Sequence, residues 1–115
     1  MFPHPPLIPR IATGFCGGVA RTSGLCGAFT GGVMVLGLVH GRDRPGEGTA
    51  PAFEMTARFA RAFEERFGSL QCREILGCDL ATPEGYTRFQ EEDLANRVCK
   101  GVTEEAAGLA AEIAG

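Results

Sequence analysis

Lysine is almost absent from this chain: of 11 basic residues, Lys100 is the only one. That removes the polybasic patch expected of a protein held on anionic lipid. The formal charge of -3 and the lack of a basic stripe argue against a nucleic-acid partner. There is no strand signal either, because alternating apolar and polar runs are missing and Val, Ile and Thr are not clustered. No internal repeat is visible. Neither GxGxxG nor a Walker pattern occurs, and Ser23 and Ser69 have no His and Asp constellation, which excludes a serine hydrolase. The amino-terminal stretch Met1 to Arg10 has four prolines and no apolar core of a secretory signal. A cytoplasmic location is therefore expected, where thiols stay reduced and serve metals or redox chemistry more often than structure.

What is present fits one helical domain. The 115 residues, 44% of them hydrophobic, are enough for a single core. Residues 1–10 form a proline-rich lead-in and 11–115 the domain. The pattern predicts an all-α bundle of about five helices around a central, apolar, glycine-containing helix over Leu25–His40. That segment belongs to an uncharged run, Thr22–Val39, long enough to invite comparison with a membrane span, and Gly27 and Gly31 lie at GxxxG spacing. Its five glycines and the lack of flanking aromatics favour a buried core helix, so no membrane association is expected. Thr49–Phe67 is strongly amphipathic, with Ala52, Met55, Phe59, Phe63 and Phe67 on one stripe and Arg58, Arg61, Glu64 and Glu65 opposite. Shorter helices are predicted over Ser69–Leu76, from Thr82 to about Leu94, and from Asn96 or Thr103 to the end.

The chemistry rests on five cysteines, Cys16, Cys26, Cys72, Cys78 and Cys99. There is no CxxC pair, so no thioredoxin-type dithiol or zinc ribbon can be read, and without CxxCH no c-type haem is expected. A different regularity exists. Cys26, Cys72 and Cys99 each follow a favoured helix-capping residue by three positions, namely Ser23, Ser69 and Asn96. If those residues cap, each thiol occupies the third position of a helix, where the dipole and a free N–H favour thiolate. Cys78 breaks the pattern and looks exposed beside Gly77 and Asp79. Free cysteine also packs well as a small hydrophobe, so a purely structural role competes at every position.

Cys26-Gly27-Ala28-Phe29-Thr30-Gly31 is a CGAxxG motif. It follows the glycine-rich segment Gly14-Phe15-Cys16-Gly17-Gly18 and precedes an apolar helix ending His40-Gly41-Arg42, with Cys72 and Cys99 spaced downstream. With these features, residues 11 to 114 resemble the C_GCAxxG_C_C family. The resemblance implies a helical domain with four characteristic cysteines, proposed to be redox-active. By motif, Cys26, Cys72 and Cys99 correspond to the second, third and fourth. The helix that carries the first cysteine in the family is replaced here by the proline-rich lead-in, so either the chain is truncated at its start or Cys16 or Cys78 supplies the fourth thiol. A missing helix would also leave an apolar groove suited to self-association as a homo-oligomer. A related domain occurs in a split-Soret dihaem cytochrome, but without the attachment motif haem is not implied.

Three readings follow. In the first, Cys26 cycles between dithiol and disulfide with Cys72 or Cys99, Cys26 attacking and the other resolving, with a redox partner the sequence does not name. In the second, Cys26, Cys72 and Cys99, with Cys16, Cys78 or His40 as the fourth ligand, hold zinc or an iron–sulfur cluster. In the third, the domain is an interaction scaffold whose cysteines only fill space. For His40 the competing role is a favourable charge at a helix C-terminus. The loop with Arg21 could cradle an anion or simply pack on the core.

Overall fold

A computed structural model describes residues 7–115 of the chain; the greater part of the proline-rich lead-in lies outside the described residues. The chain forms six right-handed α-helices and no named strand among the described residues, as the all-α reading expects. They are α1 (Ile8–Ala12), α2 (Gly27–His40), α3 (Ala50–Phe67), α4 (Cys72–Leu76), α5 (Pro83–Glu91) and α6 (Lys100–Ala114).

Helices α2, α3 and α6 pack on one another and make the main core. Helix α3 contributes Phe59 and Phe63, α2 contributes Phe29 and Leu36, and α6 contributes Val102, Ala106, Ala110 and Ala114. The alanines recur every fourth residue, so α6 offers a smooth face that lets its neighbours approach closely. Against it the aromatics form a compact set. Phe29 stacks on Phe59 with centroids 5.4 Å apart and meets Phe63 edge-on at 5.4 Å, both favourable ring arrangements. Gly32 is buried between them: a Cβ there would run into the Phe59 ring. At the far end, His40 Nε2 lies 3.0 Å from the Ala114 carbonyl, tying the C-termini of α2 and α6 together.

The central helix is less enclosed than its sequence suggests. Leu38 and Val39, near its C-terminal end, keep 50% and 40% of their surface. No helix among the described residues is long and apolar enough to cross a membrane.

Helix ends follow local rules. Gly68 and Gly77 take positive φ, 84° and 75°, just after α3 and α4, the backbone state that stops a helix and favours glycine. Thr82 Oγ1 accepts the Gly85 N–H at 3.0 Å to cap α5, with Pro83 in the first turn. Helix α5 stops at Glu91, short of Leu94. A π-helical turn, Ala95–Cys99, then leads into α6.

A second, smaller core lies under α4 and α5. It contains Cys72, Leu76, Cys78, Leu80 and Leu94. Cys78, expected to be exposed, is buried here, because the turn after Gly77 folds its side chain inward among the leucines.

Candidate functional site

The glycine-rich segment before α2 winds the unusual way. After a 3₁₀ turn, Thr13–Phe15, the residues Gly17, Gly18, Val19, Ala20 and Arg21 all take positive φ, as does Ser23. A left-handed run costs roughly 1–2 kcal/mol for each residue that carries a Cβ, so something must hold it. Five successive amides bond backwards across the turn: Ala20 to Gly14 O at 2.9 Å, Arg21 to Cys16 O at 3.3 Å, Thr22 to Val19 O at 3.0 Å, Ser23 to Gly17 O at 3.1 Å and Gly24 to Gly18 O at 2.8 Å. Ser23, itself buried, accepts the Leu80 N–H at 2.7 Å. The guanidinium of Arg21 lies 4.6 Å from the centroid of the Tyr86 ring. The loop thus packs against the α4–α5 region.

This loop delivers Gly24 to the segment before α4. The Cys26 N–H donates to Leu70 O at 2.8 Å and the Cys72 N–H donates to Gly24 O at 2.7 Å. Leu25 and Gln71 face each other in an isolated antiparallel bridge, a pairing the sequence pattern did not reveal. Because side chains alternate in extended backbone, Cys26 and Cys72 leave the bridge on the same face. The bridge brings together two cysteines 46 residues apart in the sequence.

Cys99 joins them from the end of the π turn. Cys26, Cys72 and Cys99, with Cys16, line one cavity of about 480 Å³. The rest of its wall is largely apolar: Phe15, Ile75, Leu76, Leu80, Phe89 and Val102, with glycines 17, 18, 27 and 31 where the backbone itself is the wall. Among the described residues, no charged residue lines it. Cys16 is exposed, Cys26 and Cys99 are half-buried and Cys72 is buried, so the thiols are graded in depth from the rim inward.

The capping arrangement expected from sequence does not occur. Ser23 is in the left-handed loop, Ser69 Oγ accepts the Gln71 N–H within its own turn at 2.9 Å, and the Asn96 side chain donates to Asp93. Cys26 is itself the N-cap of α2, Cys72 is the first residue of α4, and Cys99 sits where the π turn passes into α6. The predicted thiolate character is also reversed at two positions. Burial pushes the Cys72 thiol up to about 11, with the neighbouring Cys26, Cys99 and Cys78 thiols and Asp79 adding to it. Burial likewise raises Cys99, with help from Cys26 and Cys78, against a backbone hydrogen bond that lowers it. Desolvation outweighs helix polarity here.

Two of the other candidates lie elsewhere. His40 is at the opposite end of α2 from Cys26, about 20 Å away at the α-helical rise. Cys78 lies in the smaller core, close enough to act electrostatically on Cys72 and Cys99 but outside the cavity wall. Among the described residues, no three Cys, His, Asp or Glu side chains are grouped to hold a metal ion. Sequence reasoning missed the cavity's aromatic and aliphatic walls, Phe15, Leu80 and Phe89, for which no local signal exists.

These features define a helical domain with four of its five thiols gathered on one apolar cavity. The model of the family described as "putative redox-active protein (C_GCAxxG_C_C)" matches residues 2–113, and the chain belongs to that family. No curated protein and no solved structure matches it.

Proposed function

We propose that this protein performs thiol–disulfide exchange, with Cys26 and Cys72 cycling between dithiol and disulfide. The observation that carries the reading is the paired backbone of Leu25 and Gln71, which directs both side chains to one cavity. Diagonal neighbours across such a bridge have Cα atoms about 7–8 Å apart, and a disulfide spans about 4.4–6.8 Å. Closure therefore needs an approach of an ångström or two. Helix α4 is only five residues long and can supply it.

Cys26 is the attacking group, at the N-cap of the fourteen-residue α2 and half-buried rather than sealed. Its thiolate attacks one sulfur of a disulfide substrate, the substrate S–S bond breaks, and the leaving sulfur departs with the electron pair and takes a proton. Cys72, protonated at neutral pH, then gives up its proton and attacks Cys26 Sγ. The second substrate thiol leaves and the protein disulfide is formed. Two protein thiols are oxidised and one disulfide is reduced to two thiols. Cys99, on the same wall, is the alternate resolving thiol.

The test is mild oxidation of the reduced protein with a diazenedicarboxamide, followed by thiol titration, peptide mapping and metal analysis. The expected result is a reversible loss of two thiols mapped to Cys26 and Cys72, abolished by Cys26→Ser and kept in Cys78→Ser. Stoichiometric bound zinc or iron in protein purified without oxygen, or retention of all thiols on oxidation, would overturn it.

A further inference from the structure

The walls of the thiol cavity specify what can enter it. Resting on the exchange reading above, we propose that the substrate is an uncharged, apolar disulfide.

At about 480 Å³ the cavity is within the range of small-molecule sites. Apart from the thiols, the side chains that line it among the described residues offer only the Thr103 hydroxyl as a polar group, at the outer face of α6. A substrate bearing carboxylates or ammonium groups would have to shed water there and find no partner, a heavy penalty for a charge. Arg21 lines an adjoining hollow of about 500 Å³ on the other side of Cys16 and Leu80, where its guanidinium lies over Tyr86. Peptide disulfides with several charges are therefore selected against, and a neutral aromatic or cyclic disulfide fits. In the exchange the two electrons come from Cys26 and Cys72, and each half of the substrate leaves as a thiol.

Gly31 provides a handle on this space. It faces the cavity from α2, and a Cβ there meets nothing within 4 Å. Gly31→Leu should therefore occupy the cavity, with its Cβ clear of core atoms.

The experiment uses two aromatic disulfides that differ in charge, neutral dithiodipyridine and dianionic dithiobis-nitrobenzoate. Both are applied to the full chain carrying Cys16→Ser, so that the exposed rim thiol does not mask the reaction. Rates are followed by released thiol absorbance and divided by the rate of each reagent with free cysteine. The neutral reagent should be favoured by at least about tenfold, the equivalent of roughly 1.4 kcal/mol of charge exclusion. Gly31→Leu should slow the neutral reagent by a similar factor while thermal melting is unchanged or raised. A normalised ratio near one, or no effect of Gly31→Leu in a folded protein, would overturn the substrate class. Either result leaves the exchange reading standing if mass mapping still finds the Cys26–Cys72 disulfide, whereas the lack of that disulfide with both reagents would overturn the two together.

Discussion

Gly18 and Cys72 touch: a methyl group built on Gly18 would lie 2.7 Å from the Cys72 Cβ and 2.6 Å from the Gly24 nitrogen. Gly18 also holds a φ of 67°. Two separate constraints thus require glycine where the loop passes over the buried thiol. Gly18→Ala should destabilise the fold by about 3 kcal/mol, combining left-handed strain with overpacking. It should also push Cys72 away from Cys26 and slow disulfide formation. Gly14→Ala is the control, since a Cβ there meets nothing within 4 Å. Denaturant unfolding of the two variants checks this, and equal stabilities would contradict it.

Adjacent glycines on α2 should respond in opposite ways. A Cβ at Gly32 collides with the Phe59 ring, while one at Gly31 points into open space. Gly32→Ala must move a ring that also stacks on Phe29 and touches Phe63, at a cost of about 2 kcal/mol. Gly31→Ala should instead stabilise by about 0.5–1 kcal/mol, because alanine removes helix-opposing backbone freedom. Midpoints of urea unfolding for the pair give the comparison.

The helices were largely legible in the sequence because their signals are local. The stripe through Phe59 and Phe63, the stop at Gly68 and the Thr82-Pro83 start each depend on neighbours a few residues away, and the structure has all three. The gathering of cysteines was legible only through the family motif, since no spacing rule links Cys26 to Cys72. What the sequence concealed is how they meet. Ser23, Ser69 and Asn96 have the chemistry of helix caps, yet Ser23 was drawn off by the distant Leu80 amide and Ser69 by its own turn. A run of positive φ through Val19, Ala20 and Arg21 also opposes every local preference of those residues. It is held by contacts with segments more than fifty residues downstream. Cys78 looked exposed because its polar neighbours were visible and the leucines around it were not.

The raised Cys72 thiol makes stability depend on alkaline pH. In the unfolded chain it ionises near its ordinary value of 9.0, and in the folded protein only near about 11. Between those values the unfolded state has lost a proton that the folded state keeps, so unfolding is favoured as pH rises. Below about pH 9 the contribution is fully present, and by about pH 11 roughly 2 kcal/mol of it is gone. Cys99, raised for the same reason, adds in the same direction. Unfolding free energies measured from about pH 8 to 11 should fall more steeply for the natural chain than for Cys72→Ala. Parallel curves would show that Cys72 ionises equally well folded and unfolded.

Ser23 is the fastener between the left-handed loop and the cavity wall. Its hydroxyl oxygen accepts the Leu80 N–H at 2.7 Å, and the residue is 1% exposed. Replacing it with alanine leaves that amide buried without an acceptor, a loss of about 1–3 kcal/mol. The same bond keeps the loop that carries Cys16 and Gly18 pressed against Leu80, so its loss should open the cavity as well as weaken the fold. Two readouts separate these effects. Ser23→Ala should lower the denaturation midpoint. Under conditions where the variant is still folded, it should also raise the alkylation rate of Cys72, which the loop otherwise shields, and hydrogen exchange at the Leu80 amide should quicken with it. A variant that is weaker but shows unchanged Cys72 labelling would mean that the loop is held in place by its own backward hydrogen bonds and by Arg21 on Tyr86.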